Sequence, residues 1–516
     1  MSEHGIRVAL RADASATIGL GHVKRCLSLA SALRTTGAEV KLVTRNLGFE
    51  TVALATASGI ECHMLPVPSS AEPVADDVPY HAWSGVDWRR DAEECVDVLN
   101  DWRPHWVVVD HYAFDSRWHR LVSDRLDVRL AVIDDLADRS LAADVLIDHN
   151  LSGNHREKYR GRTSEGIKML GGPRYALLSS AYASATPCEL NEHVRSIGIF
   201  MGGVDSRNLS SLALIACRKH AGFTGPIEIA ITRAFPHLET LTELSKRWPA
   251  TALSSDLPDL VEFLKRHDLQ VGAGGGAVWE RCCIGVPTVA LIAAPNQDAS
   301  LPALAALGAV ALVDPANSAD EDVVGKAILE LIGNPKRRRE LGTRSRALVD
   351  GIGAKRVALQ LANDALFVRP AVESDAETMY SWRNDVAIRR MSRNAAEIGW
   401  EQHLGWIRSV LLDAERYLLI GCVGRVEVGV IRFDLQSHQR AEVSLYLDPA
   451  LHGLGLGRAL LLAGEAWLLR QRPTMPAFVA TVLSENSGSK RLFESCGYRL
   501  LGETWCKEAA PRPQTR

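Results

Sequence analysis

Short apolar runs that end in glycine-bearing polar loops, each followed by apolar residues at helical spacing, recur along the first two thirds of the chain. The first run is Ile6–Leu10, and after its loop Val23, Cys26, Leu27, Ala30 and Leu33 fall on one helical face. Strand-like runs follow at Glu39–Val43, Trp106–Val109 and Leu130–Ile133. From about residue 186 the style repeats: Ser196–Phe200 ends in Met201-Gly202-Gly203, and Ile227–Ile231 and Pro287–Ile292 are further strands. Such βαβ alternation predicts mostly parallel sheets with helices on both faces. The expected fold class is therefore α/β, with two Rossmann-like lobes at 1–185 and 186–365. Their ligand cleft should lie outside the carboxyl ends of the strands.

The pattern changes near residue 366. Phe367–Pro370 opens a strand, and longer antiparallel-looking strands follow at Tyr417–Val423, Val426–Asp434 and Ala441–Leu447. The expectation is a separate α+β domain over 366–516. A length of 516 residues fits about three domains. With 59 Lys plus Arg against 62 Asp plus Glu, the balance argues against a general nucleic-acid or membrane-surface binder. No run approaches the ~20 apolar residues of a membrane span, and the N-terminal residues lack the pattern of a secretory signal. The ten cysteines are scattered without metal-ligand spacing. They read as free thiols of a cytoplasmic protein, with no metal expected.

Between the first strand and first helix lies Arg11-Ala-Asp13-Ala-Ser15-Ala-Thr-Ile-Gly19-Leu-Gly21-His22. Gly19 and Gly21 let the backbone turn and approach a ligand, and the following helix start suits a phosphate. A histidine there is near the pKa that proton transfer at neutral pH needs; simple helix capping is the alternative. Asp134-Asp135 after an apolar strand reads as a loop contact, a cap or a ligand contact.

This loop resembles the opening motif of the nucleotide-sugar hydrolases of pseudaminic acid biosynthesis, which act on UDP-2,4-diacetamido-2,4,6-trideoxy-β-L-altropyranose. Further matches run in order through residue 330: Asp110-His111-Tyr112, Asp134-Asp135, Met201-Gly202-Gly203 with Asp205, Asn208 and Leu209, and Asn296-Gln297. The resemblance implies the GT-B architecture, His22 as the general base that activates water, and Asn296 and Tyr112 at the reacting end. It implies substrate contacts from Arg11, Asp13, Ser15, Gly19, Gly21, Gly202, Gly203, Asp205, Gly275, Glu280 and Gln297. Glu280 is expected on the ribose hydroxyls, and Trp279 stands where the family often has Asn. UDP can leave without a metal if helix N-termini and backbone N–H groups receive its charge.

In the last block, His452-Gly453-Leu454-Gly455-Leu456-Gly457-Arg458-Ala459 precedes apolar residues at helical spacing. A later strand leads to Asn486, Ser489, Phe493 and Gly497-Tyr498. Residues 366–505 resemble the GNAT acetyltransferases. That implies acetyl-CoA held by Leu447, Gly453, Gly455, Gly457, Arg458, Ala459, Asn486 and Ser489. Phe493 replaces the family's usual tyrosine and cannot donate a proton. Tyr446, Tyr498 or water are the alternatives for that step. Glu442 is the candidate base for the amine, and Trp382, Arg383 and Asn384 resemble the acceptor side of amino-sugar acetyltransferases.

Together these resemblances imply two consecutive steps on one chain: N-acetylation of a UDP-amino sugar and hydrolysis of UDP from the diacetylated product. The expected partners are a UDP-sugar and acetyl-CoA. The rivals are a UDP-sugar-dependent glycosyltransferase, a hydrolase for another diacetamido sugar, and a UDP-sugar sensor without turnover.

Overall fold

The computed structural model describes residues 5–67, 77–255, 257–294, 297–298, 300–313, 320–436, 440–475 and 477–509. The chain divides into two compact units, one covering residues 7–32 and 39–357 and the other built mainly from residue 358 onward.

The first unit contains two parallel sheets. One comprises β1 (Arg7–Ala12), β2 (Glu39–Arg45), β3 (Glu61–Leu65), β4 (Trp106–Asp110), β5 (Arg129–Ile133), β6 (Val145–Asp148) and β7 (Lys168–Gly171). Their spatial order is β3-β2-β1-β4-β5-β6-β7, so the order reverses between β1 and β4. The register sets Ala12 beside Asp110 at the carboxyl ends of these two strands. Every residue of β4 is buried, as a central strand covered on both faces requires.

The second sheet comprises β8 (Ile197–Phe200), β9 (Ile227–Ile231), β10 (Thr251–Ser255), β11 (Leu269–Ala273), β12 (Thr288–Leu291) and β13 (Ala311–Leu312). Its order is β10-β9-β8-β11-β12-β13, and the reversal falls between β8 and β11. Ile197, Ile199, Val271, Val289 and Ile229 anchor one core against the helices. Both sheets are Rossmann-like, and the α/β class with two such lobes is the architecture expected from the sequence. Ligand sites in sheets of this kind form at the strand-order reversal, outside the carboxyl ends.

The second unit carries β14 (Phe367–Pro370), β15 (Arg416–Val423), β16 (Val426–Gln436), β17 (Arg440–Leu447), β18 (Ala477–Thr481), β19 (Arg499–Leu501) and β20 (Thr504–Glu508). The sheet order is β14-β15-β16-β17-β18-β20-β19. Its pairings are antiparallel except for β17 with β18. That parallel pairing ends at Glu442 with Val479, whereas β17 continues to Leu447. The two strands therefore part, leaving one edge of β17 open over Val443–Leu447. Among the described residues, no helix is long and apolar enough to cross a membrane.

Candidate active sites

The first site grows from the reversal between β1 and β4. His22 is the second residue of the helix Gly21–Thr35, which starts after the β1 loop. Its Nδ1 lies 2.6 Å from Asp110 Oδ1 at the end of β4. A ring nitrogen that close to a carboxylate has a proton between them, so Nδ1–H donates to Asp110. In the neutral ring Nε2 is then the nitrogen that can accept a proton. Arg25, one helical turn on, donates to both carboxylate oxygens of Asp110. Burial opposes the Asp110 charge, but Arg25 and His22 outweigh it and hold the carboxyl below its ordinary range. Asp110 thus stays ionised and orients His22.

Aromatic rings wall the histidine. Tyr112 meets it edge-on at 4.7 Å between centroids, and Trp83 meets it at 6.0 Å. Tyr80 packs on both Trp83 and Tyr112. The Tyr112 hydroxyl donates to Asp135 Oδ1, and Asn150 Nδ2 donates to Asp135 Oδ2 at 3.2 Å. Burial and the Asp135 charge push the Tyr112 phenol up, so it remains a neutral donor. His149 is also buried, and burial together with Arg25 pushes its pKa down to about 4. His22, Tyr112 and Asp135 are legible in the sequence motifs. The roles of Asp110, Arg25, Trp83 and His149 emerge only from the fold. Asp110 ends an apolar strand and Arg25 is three residues from His22, which is the signal that finds the pair.

Several residues expected on the substrate have other work. Arg11 and Asp13 are buried at 1% and 0% exposure. Asp13 bonds Arg11 and accepts from the Arg45 backbone N–H at 2.7 Å. Asp91 receives Arg11, Arg45 and Trp118 Nε1. This is an internal ion network beneath the loop, not a ligand surface. The Ser15 hydroxyl accepts from the N–H groups of Thr17 and Ile18, and Gly19 donates back to the Ser15 carbonyl. Ser15 and Gly19, the latter at φ +77, therefore shape the loop that leads to Gly21 and His22.

At the β8–β11 reversal, the loop Met201-Gly202-Gly203 follows β8. The loop Gly274-Gly275 opens the helix Gly276–Ile284, which is capped by Gly275 at φ 72. Two glycine loops and a helix start thus converge on one corner, as a diphosphate requires. The Asp205 carboxylate accepts from the N–H groups of Leu209 and Ser210, so it caps a helix start. Gln297 Oε1 accepts from Gly274 and Ala293 and ties the corner together. Glu280 lies near Tyr182; burial pushes its carboxyl up while Lys24 and Arg281 oppose the shift. Asn296 lies outside the described residues.

The second site is the opening between β17 and β18. Gly453 (φ +87) and Gly455 (φ +79) shape the loop before the helix Leu456–Gln471, and Gly455 caps it. The first-turn N–H groups of Gly457, Arg458 and Ala459 lie at this helix start, beyond the open edge of β17 that ends at Leu447. Open backbone donors and acceptors along an edge suit an extended amide-bearing arm, and the glycine loop suits its diphosphate. Asn486 Oδ1 accepts from the Ser489 N–H at 2.9 Å and caps the helix Ser487–Ser495. Glu442 is paired with Arg393 at 2.6 Å and accepts from Gln436. Any role as a base competes with that ion pair.

The Tyr498 hydroxyl donates to Glu465 at 2.8 Å, within a buried contact shared by Lys507. Tyr446 lies on the open part of β17. Burial pushes its phenol up, with Arg383 and Arg432 acting against it. Trp382, Trp406 and Tyr446 each pack against the core that contains Met379 and Ile407. Arg383 Nη2 donates to the Asn394 carbonyl, and Asn384 bonds both backbone groups of Ile398. Asn384 therefore clamps the loop that precedes the helix Trp400–Leu412. Among the described residues no group of three or more metal-ligating side chains is present.

Residues 365–499 match the acetyltransferase (GNAT) domain family. An uncharacterized protein of Methanocaldococcus jannaschii is 20% identical over 516 residues, covering 96% of this chain and 97% of that protein. The UDP-2,4-diacetamido-2,4,6-trideoxy-beta-L-altropyranose hydrolase of Campylobacter jejuni is 22% identical over 303 residues, 59% of this chain and 97% of the hydrolase. The crystal structure of Acinetobacter baumannii MurG aligns with 68% of this chain and 98% of its own, at 15% identity and a TM-score of 0.48. The chain thus ends in a GNAT acetyltransferase domain, and the region before it is similar, at low identity, to a UDP-sugar hydrolase.

Proposed function

We propose that the chain is a bifunctional cytoplasmic enzyme of nucleotide-sugar metabolism. Its GT-B-like region hydrolyses a UDP-2,4-diacetamido-2,4,6-trideoxyhexose, of which the β-L-altro sugar of pseudaminic acid biosynthesis is the first choice. Its GNAT domain transfers acetyl from acetyl-CoA to the 4-amine of the precursor UDP-amino sugar. The observation that carries the hydrolase assignment is the His22–Asp110–Arg25 arrangement within an aromatic wall.

In hydrolysis, His22 Nε2 takes a proton from water as the water oxygen bonds to the anomeric carbon. The bond from that carbon to the diphosphate oxygen breaks, and its electron pair leaves on UDP. Asp110 stabilises the imidazolium that forms. The glycine loops after β8 and β11 and the helix Gly276–Ile284 receive the departing charge. Tyr112, held by Asp135, lies against the reacting group. In acetyl transfer, the open edge of β17 and the Gly453–Gly455 loop hold acetyl-CoA; the amine nitrogen bonds to the thioester carbonyl carbon, the C–S bond breaks with its electron pair on the CoA sulfur, and the amine's proton passes to water or to Glu442 once it is released from Arg393. Tyr446, on the open segment of β17, donates the proton to the departing thiolate. This assignment is favoured because the Tyr498 hydroxyl is already engaged by Glu465.

Incubating the purified chain with the UDP-diacetamido sugar should release UDP and the free sugar, without any added acceptor. His22→Asn should abolish that release. Full activity in the variant contradicts the assigned base, and release that depends on an added sugar or lipid acceptor favours a glycosyltransferase.

A further inference from the structure

The ends of β8 and β11 lie side by side below the two glycine loops, and the register pairs Gly272 with Phe200 there. The side chain of Arg281, from the helix Gly276–Ile284, fills the space beneath. It is 1% exposed. Its Nη2 donates to the carbonyl of Ala273, the last residue of β11. Its Nε and Nη1 have no hydrogen-bond partner among the described residues. Gly272 creates the room: a Cβ there would lie 2.8 Å from both the Arg281 Cζ and the Phe200 carbonyl oxygen. The side chain on the same face of β11, Gln270, is a neutral amide and is itself buried without partners. The Glu280 carboxylate is within electrostatic reach of Arg281, but among the described residues no carboxylate forms an ion pair with it.

A buried guanidinium with no bonded counter-ion, facing a carboxyl whose own charge burial disfavours, is costly and persists only where something offsets its charge. Burial pushes the Arg281 pKa down only to about 10, so the group is still a cation at neutral pH. The charge lies under the corner where two glycine loops and a helix start meet. In a low-dielectric interior its field reaches that corner poorly screened.

We propose that Arg281 is a positioning residue for the diphosphate of the bound nucleotide. Its charge acts through the Ala273 carbonyl and the loops above to hold the phosphates and to stabilise the leaving UDP. This rests on the assignment of the corner as the UDP site. The side chain touches no ligand, so its contribution is electrostatic and depends on ligand charge. It is the counterpart, inside the protein, of a metal ion placed on the phosphates from outside.

The test is calorimetric binding of UDP and of uncharged uridine to the full chain and its variants. Arg281→Met should weaken UDP by about tenfold or more and leave uridine within about twofold. Arg281→Lys, which keeps the charge, should recover most of the UDP affinity. Arg281→Gln, which removes the charge but keeps a polar side chain, should produce the same charge-selective loss and serves if Arg281→Met does not fold. Equal losses for UDP and uridine, or unchanged UDP affinity, overturn the inference alone. A wild-type chain that binds neither UDP nor uridine overturns the nucleotide assignment as well.

Discussion

Replacing Asp110 by Asn exchanges an ionised acceptor for an amide that can donate to His22 Nδ1. The ring then carries its proton on Nε2, where it cannot accept one from water. Steady-state UDP release should fall by about 10²- to 10⁴-fold in kcat, with KM for the sugar nucleotide changed little. His149 has a different signature. Its folded pKa of about 4 lies below the ordinary 6.5, so the fold holds the neutral ring. Between those values the unfolded chain binds a proton that the folded chain does not, and stability falls as pH drops through the window. His149→Gln should remove that loss, worth about 3 kcal/mol at most, and flatten Tm against pH between 6.5 and 4. The sequence made His22 visible through its loop. It could not reveal that Asp110 lies against it, because 88 residues separate the two and only the β1–β4 pairing joins them. Conversely, Arg11 and Asp13 stand out in the same motif yet serve the interior, since a motif reports identity and not direction.

At the scale of elements, the central strand Ile227–Ile231, almost wholly buried, matches its expected bounds. The edge strand Phe367–Pro370 also matches, although it is largely exposed. The strand β11, Leu269–Ala273, is hidden from pattern reading because Gln270 and Gly272 interrupt its apolar run. Gly272 is required there by Arg281, so packing of a distant side chain overrides strand propensity. The edge strand β3 is mostly exposed and lacks an apolar run for the same reason that edges are tolerated. The network around Asp91 is an element-level brace linking β1, β2 and the following helices. Asp91→Asn should leave two buried guanidinium groups short of a charge and lower stability by about 3 kcal/mol, read from denaturant unfolding. In the GNAT loop, Gly455→Ala places a side chain at φ +79, a left-handed conformation, and should cost about 1 kcal/mol. Acetyl-CoA affinity, measured by calorimetry, should fall with it.

For the whole molecule, the two proposed chemistries draw on separate sheets with separate glycine loops. His22→Asn should therefore lose UDP release and keep acetyl transfer, whereas Gly455→Ala should show the reverse. Assaying both variants for both products checks this independence. The α/β class followed by an α+β style is legible because hydrophobic period and strand length change near residue 366. The reach of each site is not, because it depends on which carboxyl ends the sheet order brings together. The central claim is that water, activated by His22, attacks the anomeric carbon of a UDP-sugar. Hydrolysis of the UDP-diacetamido sugar in heavy-oxygen water tests it most directly, with mass spectrometry of both products. The account predicts heavy oxygen in the free sugar and none in UDP; label in the UDP phosphate, or no UDP released at all, would contradict it.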